Sequence, residues 1–300
     1  MELRQLEYFA AVARHRHFGR AATEVYVTQS ALSQQIARLE AELGVKLLAR
    51  TAKGVEMTPA GEELNDHAAT ILHQVASARA AIDGHRGAVR GVARIAATPH
   101  DSAALTPALV AFHRSHPQTQ LSLRHAPPPQ LLELLAAGAI DGVVLGVDGG
   151  EPRMPAGAIA RTLTEEPLRL VCAPDDPLAD TSDVSIEALR GVPVILPERG
   201  TALREIVLTS CQAAGFSPLP LFETSDRLTI RTLAAEGLGY SAVPESWAQG
   251  DGPRTGIASF ADPSPRYRVA LVHGDQMPPI GALLVEELAA FFAATGYRPR

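Results

Sequence analysis

The chain has 300 residues, 46% of them hydrophobic and 20% charged, which is room for roughly two domains of ordinary globular composition. No apolar run approaches the roughly 18 residues that mark a membrane span. The charged N-terminus, residues 1–7, lacks the apolar stretch of a secretory signal. Cys172 and Cys211 are too few for a disulfide framework or a zinc cluster. The expectation is a cytoplasmic protein with no membrane partner. Net charge is −6. Residues 1–58, however, carry eight Lys and Arg against six Glu, so a +2 head sits on a −8 body. That asymmetry points to a basic partner-binding end.

Leu3, Leu6, Phe9 and Val12-Ala13 recur at helical spacing, predicting an amphipathic helix over 3–14. Phe18-Gly19 reads as its break, and residues 20–26 suit a short second helix with Ala21-Ala22 small enough for close packing. Thr28 occupies an N-cap position before a third helix that runs to Gly44. Leu32, Ile36 and Leu39 form its apolar stripe, while Gln29, Ser30, Ser33 and Gln34 share another face near its start. This is the pattern of a helix-turn-helix. Gln pairs bidentately with adenine and Ser bonds either base edges or phosphates. Thr28 and the first helix amides suit a phosphate. Arg20 and Arg38 are further phosphate or groove candidates. Residues 45–50, 51–54 and 55–58 read as strand, basic turn and strand, a wing with Lys53 at its tip. A small helical domain with a polar face fits the same periodicity, and the two readings stay open on spacing alone.

The run from Arg20-Ala21-Ala22 through Thr28-Gln29-Ser30-Ala31-Leu32-Ser33 to Ile36-Ala37-Arg38-Leu39-Glu40, followed by Leu43-Gly44 and Leu47-Leu48-Ala49-Arg50, resembles the LysR-type transcriptional regulators. Leu48 stands where that family usually has Phe, and Val25 where it has Leu. The resemblance implies an N-terminal all-α winged helix-turn-helix with a linker helix. It also implies a C-terminal α/β two-lobed effector domain resembling periplasmic binding proteins.

After Thr58-Pro59-Ala60-Gly61, Leu64, Ala68, Ile71, Val75, Ala78 and Ile82 follow a heptad seam. A helix packed on its own chain is the alternative to a dimerising one. The resemblance favours a dimer, since the family's linker helices pair antiparallel here. Asp83 to Gly87 reads as a hinge. The expected domains are 1–58 for DNA binding, 59–87 for the linker, and 88–300 for the effector domain. Lobe I takes about 91–162 and 266–300, and lobe II about 163–265.

From Val92 onward strands and helices alternate, predicting α/β architecture with largely parallel sheets. Strands are expected near 92–97, 120–125, 143–147, 168–173, 194–196, 219–223, 239–243 and 267–273. Helices are expected near 105–115, 130–137, 202–214, 228–236 and 280–295, and residues 185–190 form a further short piece. The chain is expected to cross between lobes near 161–164 and 262–266. Open α/β sheets bind ligands beyond their strands' carboxyl ends. The loops there hold Thr98, His100, Ser102, His125, Gly200, Thr201 and Thr224. By resemblance these lie where family members hold effectors, although each also suits a capping or solvated loop role. Their chemistry leans toward an anion or carboxylate.

Gly237-Leu238-Gly239-Tyr240-Ser241-Ala242 matches a dinucleotide fingerprint but follows a helix and enters a strand, the wrong context. No metal or cofactor is expected. His15 and His17 read as loop residues near DNA, and His113 and His116 as surface residues. The peroxide-sensing branch of the LysR-type family carries a redox cysteine pair. In the corresponding stretch Cys211 matches the resolving cysteine, while Ala202 occupies the peroxide-reactive position. The thiolate that such sensing needs is therefore missing.

The reading is a LysR-type DNA-binding regulator, not an enzyme. It is expected to bind an inverted-repeat promoter site as a dimer or tetramer. A small effector in the interlobe cleft would modulate it, with RNA polymerase as a further partner. The alternative is a small-molecule-binding or enzymatic α/β protein whose helical head serves only assembly.

Overall fold

A computed structural model describes residues 1–51, 54–84, 91–147, 154–275 and 277–295. These divide into two compact units, one within Met1–Ala88 plus Ala137–Ala139, the other within Val89–Ala136 plus Ile140–Arg300.

The first unit begins with α1 (Leu3–His15), α2 (Phe18–Glu24) and α3 (Gln29–Leu43). A capping box between Glu2 and Gln5 opens α1, and Arg16 ends it at φ 50°. The break therefore falls before Phe18-Gly19. The His17 ring accepts from the Gly19 and Arg20 amides, and this imidazole cap starts α2 at Phe18. Thr28 Oγ1 accepts from the Ala31 amide at 3.3 Å to open α3, and Gly44, at φ 72°, closes it. Phe9, Val12, Leu32, Ile36, Leu39 and Leu47 fill the core between the helices.

The wing is β1 (Leu48–Thr51) paired antiparallel with β2 (Gly54–Met57), Arg50 opposite Val55. Its first strand starts three residues later than the sequence suggests, because Lys46 and Leu47 are drawn to Glu40. Ala52 and Lys53 lie outside the described residues. Next comes α4 (Pro59–Gly84), whose 26 residues span about 39 Å. A Cβ on Gly61 would lie 2.1 Å from the Leu47 carbonyl oxygen, so only glycine lets this helix start so close to the wing.

Leu64 packs on the first unit's core and Ala68 is fully buried within the chain. That end of the predicted seam is used internally. Ile71 and Val75 are half-buried and Ala78 is exposed, while the Ile82 side chain lies outside the described ones.

The second unit runs β3 (Gly91–Ala97), α5 (Ser102–Ser115), β4 (Thr119–His125), α6 (Pro128–Ala136), β5 (Gly142–Val147) and β6 (Ala158–Cys172). After a short 3-10 turn at Ile186–Leu189 come β7 (Pro193–Leu196), α7 (Ala202–Ala213), β8 (Leu219–Glu223), α8 (Arg227–Ala235) and β9 (Ser241–Pro244). The chain ends with α9 (Glu245–Ala248), β10 (Gly256–Ser259), β11 (Arg266–Gly274) and α10 (Pro279–Thr295). The main sheet has the order β10-β6-β11-β5-β3-β4, with β9 also on β6, and β7-β8 form a separate pair. Pro128 and Pro129 occupy the first turn of α6, where their missing N–H groups leave no helix bond unmade.

Two expectations change. The main sheet is mixed rather than largely parallel. β3 runs parallel to β4 and β5, but β11 pairs antiparallel with β5 and β6, and β6 antiparallel with β9 and β10. The reason is that β6 and β11 carry the chain between lobes in opposite directions. In addition, β6 is one strand of 15 residues rather than a piece from 168. Residues 161–164 still pair with β11, and the strand passes to lobe II partners at Pro167-Leu168, where Leu168 meets Pro244. Its polar first half resembles a loop in sequence. Both α9 and β10 are also absent from the sequence expectation. Helix α10 buries Ile280, Leu284, Leu288 and Phe292.

Candidate DNA-reading helix and interlobe cleft

Burying Leu32, Ile36 and Leu39 turns the other side of α3 outward. Thr28, Gln29, Ser30, Gln34 and Arg38 are exposed there, Ser33 is half-buried, and Arg20 is exposed on α2. Ser30 Oγ lies 3.1 Å from Thr28 Oγ1. Tyr26, 95% exposed at φ 55°, stands in the turn before α3. Sequence reasoning counted it only as a helix end, and its position before the N-cap was the available signal.

Glu40 holds this helix to the wing. Its carboxylate accepts from Lys46 Nζ at 2.6 Å and from the Leu47 and Leu48 amides at 3.0 and 3.2 Å. Burial pushes the Glu40 carboxyl up, but these hydrogen bonds outweigh it and hold the group below the usual range. His15 and His17 are not free loop residues. His15, in the last turn of α1, pairs with Glu24 of α2, and His17 caps α2.

In the second unit a cavity of about 700 Å³ opens beyond the carboxyl ends of β3, β4, β7 and β8. Lobe I lines it with Thr98, Pro99, His100 and the stretch His125-Ala126-Pro127-Pro128. Lobe II supplies Glu198, Arg199, Thr201 and the stretch Thr224-Ser225-Asp226-Arg227. Five of the seven expected residues, Thr98, His100, His125, Thr201 and Thr224, therefore meet. Ser102 and Gly200 do not line the cavity. Ser102 Oγ donates back to the Pro99 carbonyl at 2.8 Å, and Gly200 forms the exposed turn at φ 80°. The expected set did not include Glu198, Arg199 or Arg227. They lie within three residues of predicted ones, but the search had favoured hydroxyls and imidazoles.

Most of the hydroxyls are already engaged. Thr98 Oγ1 donates to Asp101 at 2.5 Å, and Thr201 Oγ1 to the Glu198 carbonyl at 2.7 Å. Thr224 Oγ1 accepts from the Asp226 amide. Asp226 caps α8 through the Thr229 amide at 2.8 Å; the Thr229 hydroxyl, that amide and the Arg227 charge hold its carboxyl below the usual range. Arg204 is buried and donates to the Pro197 carbonyl and to Glu223, each at 2.8 Å. Among the described residues, the Arg227 side chain makes no hydrogen bond and no ion pair within 4 Å.

Behind the cleft, buried Asp101 accepts from the Gly146 amide and the Tyr267 hydroxyl as well as from Thr98. Burial and the adjacent Asp101 push the Tyr267 phenol well above its ordinary range. Trp247 of lobe II meets His100 edge-on, ring centroids 5.6 Å apart, and Tyr267 at 6.4 Å.

Cys211 is buried in α7, where burial pushes its thiol up to about 11. Burial, with Asp176 and Asp180 adding to it, pushes Cys172 up to about 11 as well. Ala202 opens α7. The Gly237-Leu238-Gly239 stretch joins α8 to β9.

A winged helix-turn-helix with an exposed amide-rich helix, on a chain that also carries a two-lobed α/β unit with a cleft between its lobes, defines a DNA-binding transcription regulator with a ligand-binding body. Residues 3–62 match the bacterial regulatory helix-turn-helix protein, lysR family, and residues 86–293 the LysR substrate binding domain. The chain belongs to the LysR-type transcriptional regulators, and it is a regulator rather than an enzyme. It is 32% identical to a hydrogen peroxide-inducible genes activator of Dickeya chrysanthemi, over 93% of this chain and 91% of the relative. It is also 32% identical to the transcriptional dual regulator GltC of Bacillus subtilis, over 90% and 86%. Full-length CbnR complexed with its target DNA superposes with a TM-score of 0.71 at 28% identity, over 97% of this chain and 99% of that one. Among the described residues, no helix is long and apolar enough to cross a membrane.

Proposed function

We propose that the protein is a cytoplasmic regulator that reads an inverted-repeat promoter site through α3 and responds to a small molecule in the interlobe cleft. The exposed polar face of α3 carries the first part. Gln29, Ser30, Ser33 and Gln34 read base edges, while Thr28, Arg20, Arg38 and Lys53 meet phosphates or the adjoining groove. The remainder of the heptad seam, Ile71, Val75, Ala78 and Ile82, pairs two chains, and dimers assemble further into tetramers. RNA polymerase is the downstream partner. Residues 1–58, 59–87 and 88–300 serve as DNA-binding, linker and effector domains.

The cleft takes a bound ligand rather than working by thiol oxidation. Ala202 supplies no thiolate, and both cysteines are buried with raised thiols. The peroxide response named for the Dickeya relative therefore does not carry over.

Fluorescence anisotropy on the DNA upstream of the protein's own gene, against a shuffled duplex, tests the reading at about 150 mM salt. Selective, steeply salt-dependent binding is expected. Equal weak binding to both, followed by failure of a genome-wide binding selection to find any site, overturns it.

A further inference from the structure

Two opposite charges face the cleft from neighbouring loops of lobe II. The Glu198 amide donates to Ser225 Oγ at 3.0 Å, so the loop after β7 is tied to the loop that leads into Arg227. Yet the Glu198 carboxylate and the Arg227 guanidinium do not pair with each other. Among the described residues neither side chain has a hydrogen bond or an ion pair within 4 Å. Of the other charges nearby, Asp226 caps α8 and also feels the charge of Arg227, and Glu223 is held by Arg204 with Arg199 3.9 Å away.

The rest of the lining narrows the ligand further. Among the described residues it contains no large aliphatic or aromatic hydrocarbon side chain, only Pro, Ala, Thr, Ser, His and charged residues.

We propose that the cleft binds a free α-amino acid as its zwitterion, with the carboxylate on Arg227 and the ammonium on Glu198. His100, His125 and Thr201 face its side chain, which is polar. This deepens the reading of the cleft as the effector site and rests on it. One unpaired charge of each sign on tethered loops suits a ligand that carries both signs on one carbon.

The protein carries its own reporter. Trp247 is its single tryptophan, and its ring lies against His100 of the cleft wall. The full-length chain is titrated with the twenty common α-amino acids, with the amines that lack their carboxylate, and with the acids that lack their amino group. Trp247 emission and isothermal calorimetry provide two independent readouts. One or a few polar amino acids are expected to bind, and both truncated analogues to bind at least about tenfold more weakly. Arg227→Gln is expected to weaken the amino acid about tenfold or more. Glu198→Gln is expected to weaken the amino acid but not its deaminated analogue. Glu198 is exposed and Arg227 half-buried, and among the described residues neither side chain makes a hydrogen bond, so unchanged melting temperatures are expected to show intact folding.

If the acids bind as well as the amino acids, the zwitterion proposal falls while the effector cleft stands. If binding is indifferent to both substitutions, the ligand lies elsewhere and both fall. If none of the three sets binds by calorimetry, the proposal is overturned.

Discussion

The Tyr267 hydroxyl donates to Asp101 Oδ1 at 3.1 Å, joining the strand that returns to lobe I with the residue that opens α5. The phenol is fully buried, and the same carboxylate also takes Thr98 and the Gly146 amide. Tyr267→Phe removes one of three donors and is expected to cost about 1–2 kcal/mol in urea unfolding. Gly146→Ala is expected to cost more, about 2–3 kcal/mol, because its new Cβ would lie 2.1 Å from that hydroxyl oxygen and 2.6 Å from the ring. A Gly146→Ala protein as stable as the wild type would show that the ring shifts freely and that the buried network is not rigid.

Asp141 and Arg94 exchange backbone and carboxylate bonds between β3 and β5, Arg94 N–H donating to the carboxylate at 2.7 Å. Burial pushes the Asp141 carboxyl up to about 6, against the pull of the Arg94 amide and charge. The folded state thus holds this proton more tightly than the unfolded chain. The group costs stability above pH 6, and the cost fades as pH falls toward 4. Asp141→Asn keeps an acceptor for Arg94 and removes the charge. It is expected to gain about 1–3 kcal/mol at pH 7.5 and nothing at pH 4. Equal effects at both pH values in urea titrations would rule this titration out.

Glu40 behaves in the opposite sense. Its lowered pKa means that its contribution is present above the ordinary carboxylate range and lost as pH falls below it. Glu40→Ala leaves the Leu47 and Leu48 amides without their acceptor. A loss of about 2–3 kcal/mol is expected for the DNA-binding unit, with weaker DNA binding because the wing loses its tie to α3. Thermal unfolding at pH 7 and pH 3.5 checks this, with a smaller loss expected at the lower pH.

Gln29→Ala is expected to weaken specific DNA binding by about 1–3 kcal/mol, the scale of one bidentate base contact, and to leave binding to the shuffled duplex unchanged. Arg38→Gln should instead weaken both and reduce the salt slope by about one. Competition anisotropy separates these outcomes. A uniform loss for Gln29→Ala would move that residue from base reading to backbone contact.

Neither thiol is expected to react with Ellman's reagent or with hydrogen peroxide in the native protein at pH 7.5, since burial has raised both to about 11. Both should react after denaturation. Rapid native labelling of either cysteine would return thiol chemistry to consideration.

How much was legible in the sequence varied along the chain. The three helices of the first unit were readable because helical period, caps and small residues are local signals. Leu32, Ile36 and Leu39 had to turn inward, so Gln29, Ser30 and Gln34 had to turn outward. The start of α2 was misjudged because its cap is an imidazole, His17, which has no strong place among capping preferences. In the second unit strands at the buried centre stood out, such as Val143-Val144-Leu145. The first half of β6 did not, since its polar residues mimic a loop until β11 pairs with it.

The resemblance to LysR-type regulators, and not spacing alone, carried the kind of protein; the chain order by itself determined the outward polar side of α3, the absence of a thiol at position 202, and the loops that hold most of the cleft. Local rules suffice for these, since each depends on neighbours within a turn or a strand. Only the tertiary structure decided that the sheet is mixed and that Ser102 and Gly200 leave the cleft. It alone decided that Leu64 and Ala68 are used within the chain, and that Glu198 and Arg227 share a cavity without pairing. Those facts depend on pairings and packing between residues tens of positions apart, which no local pattern encodes.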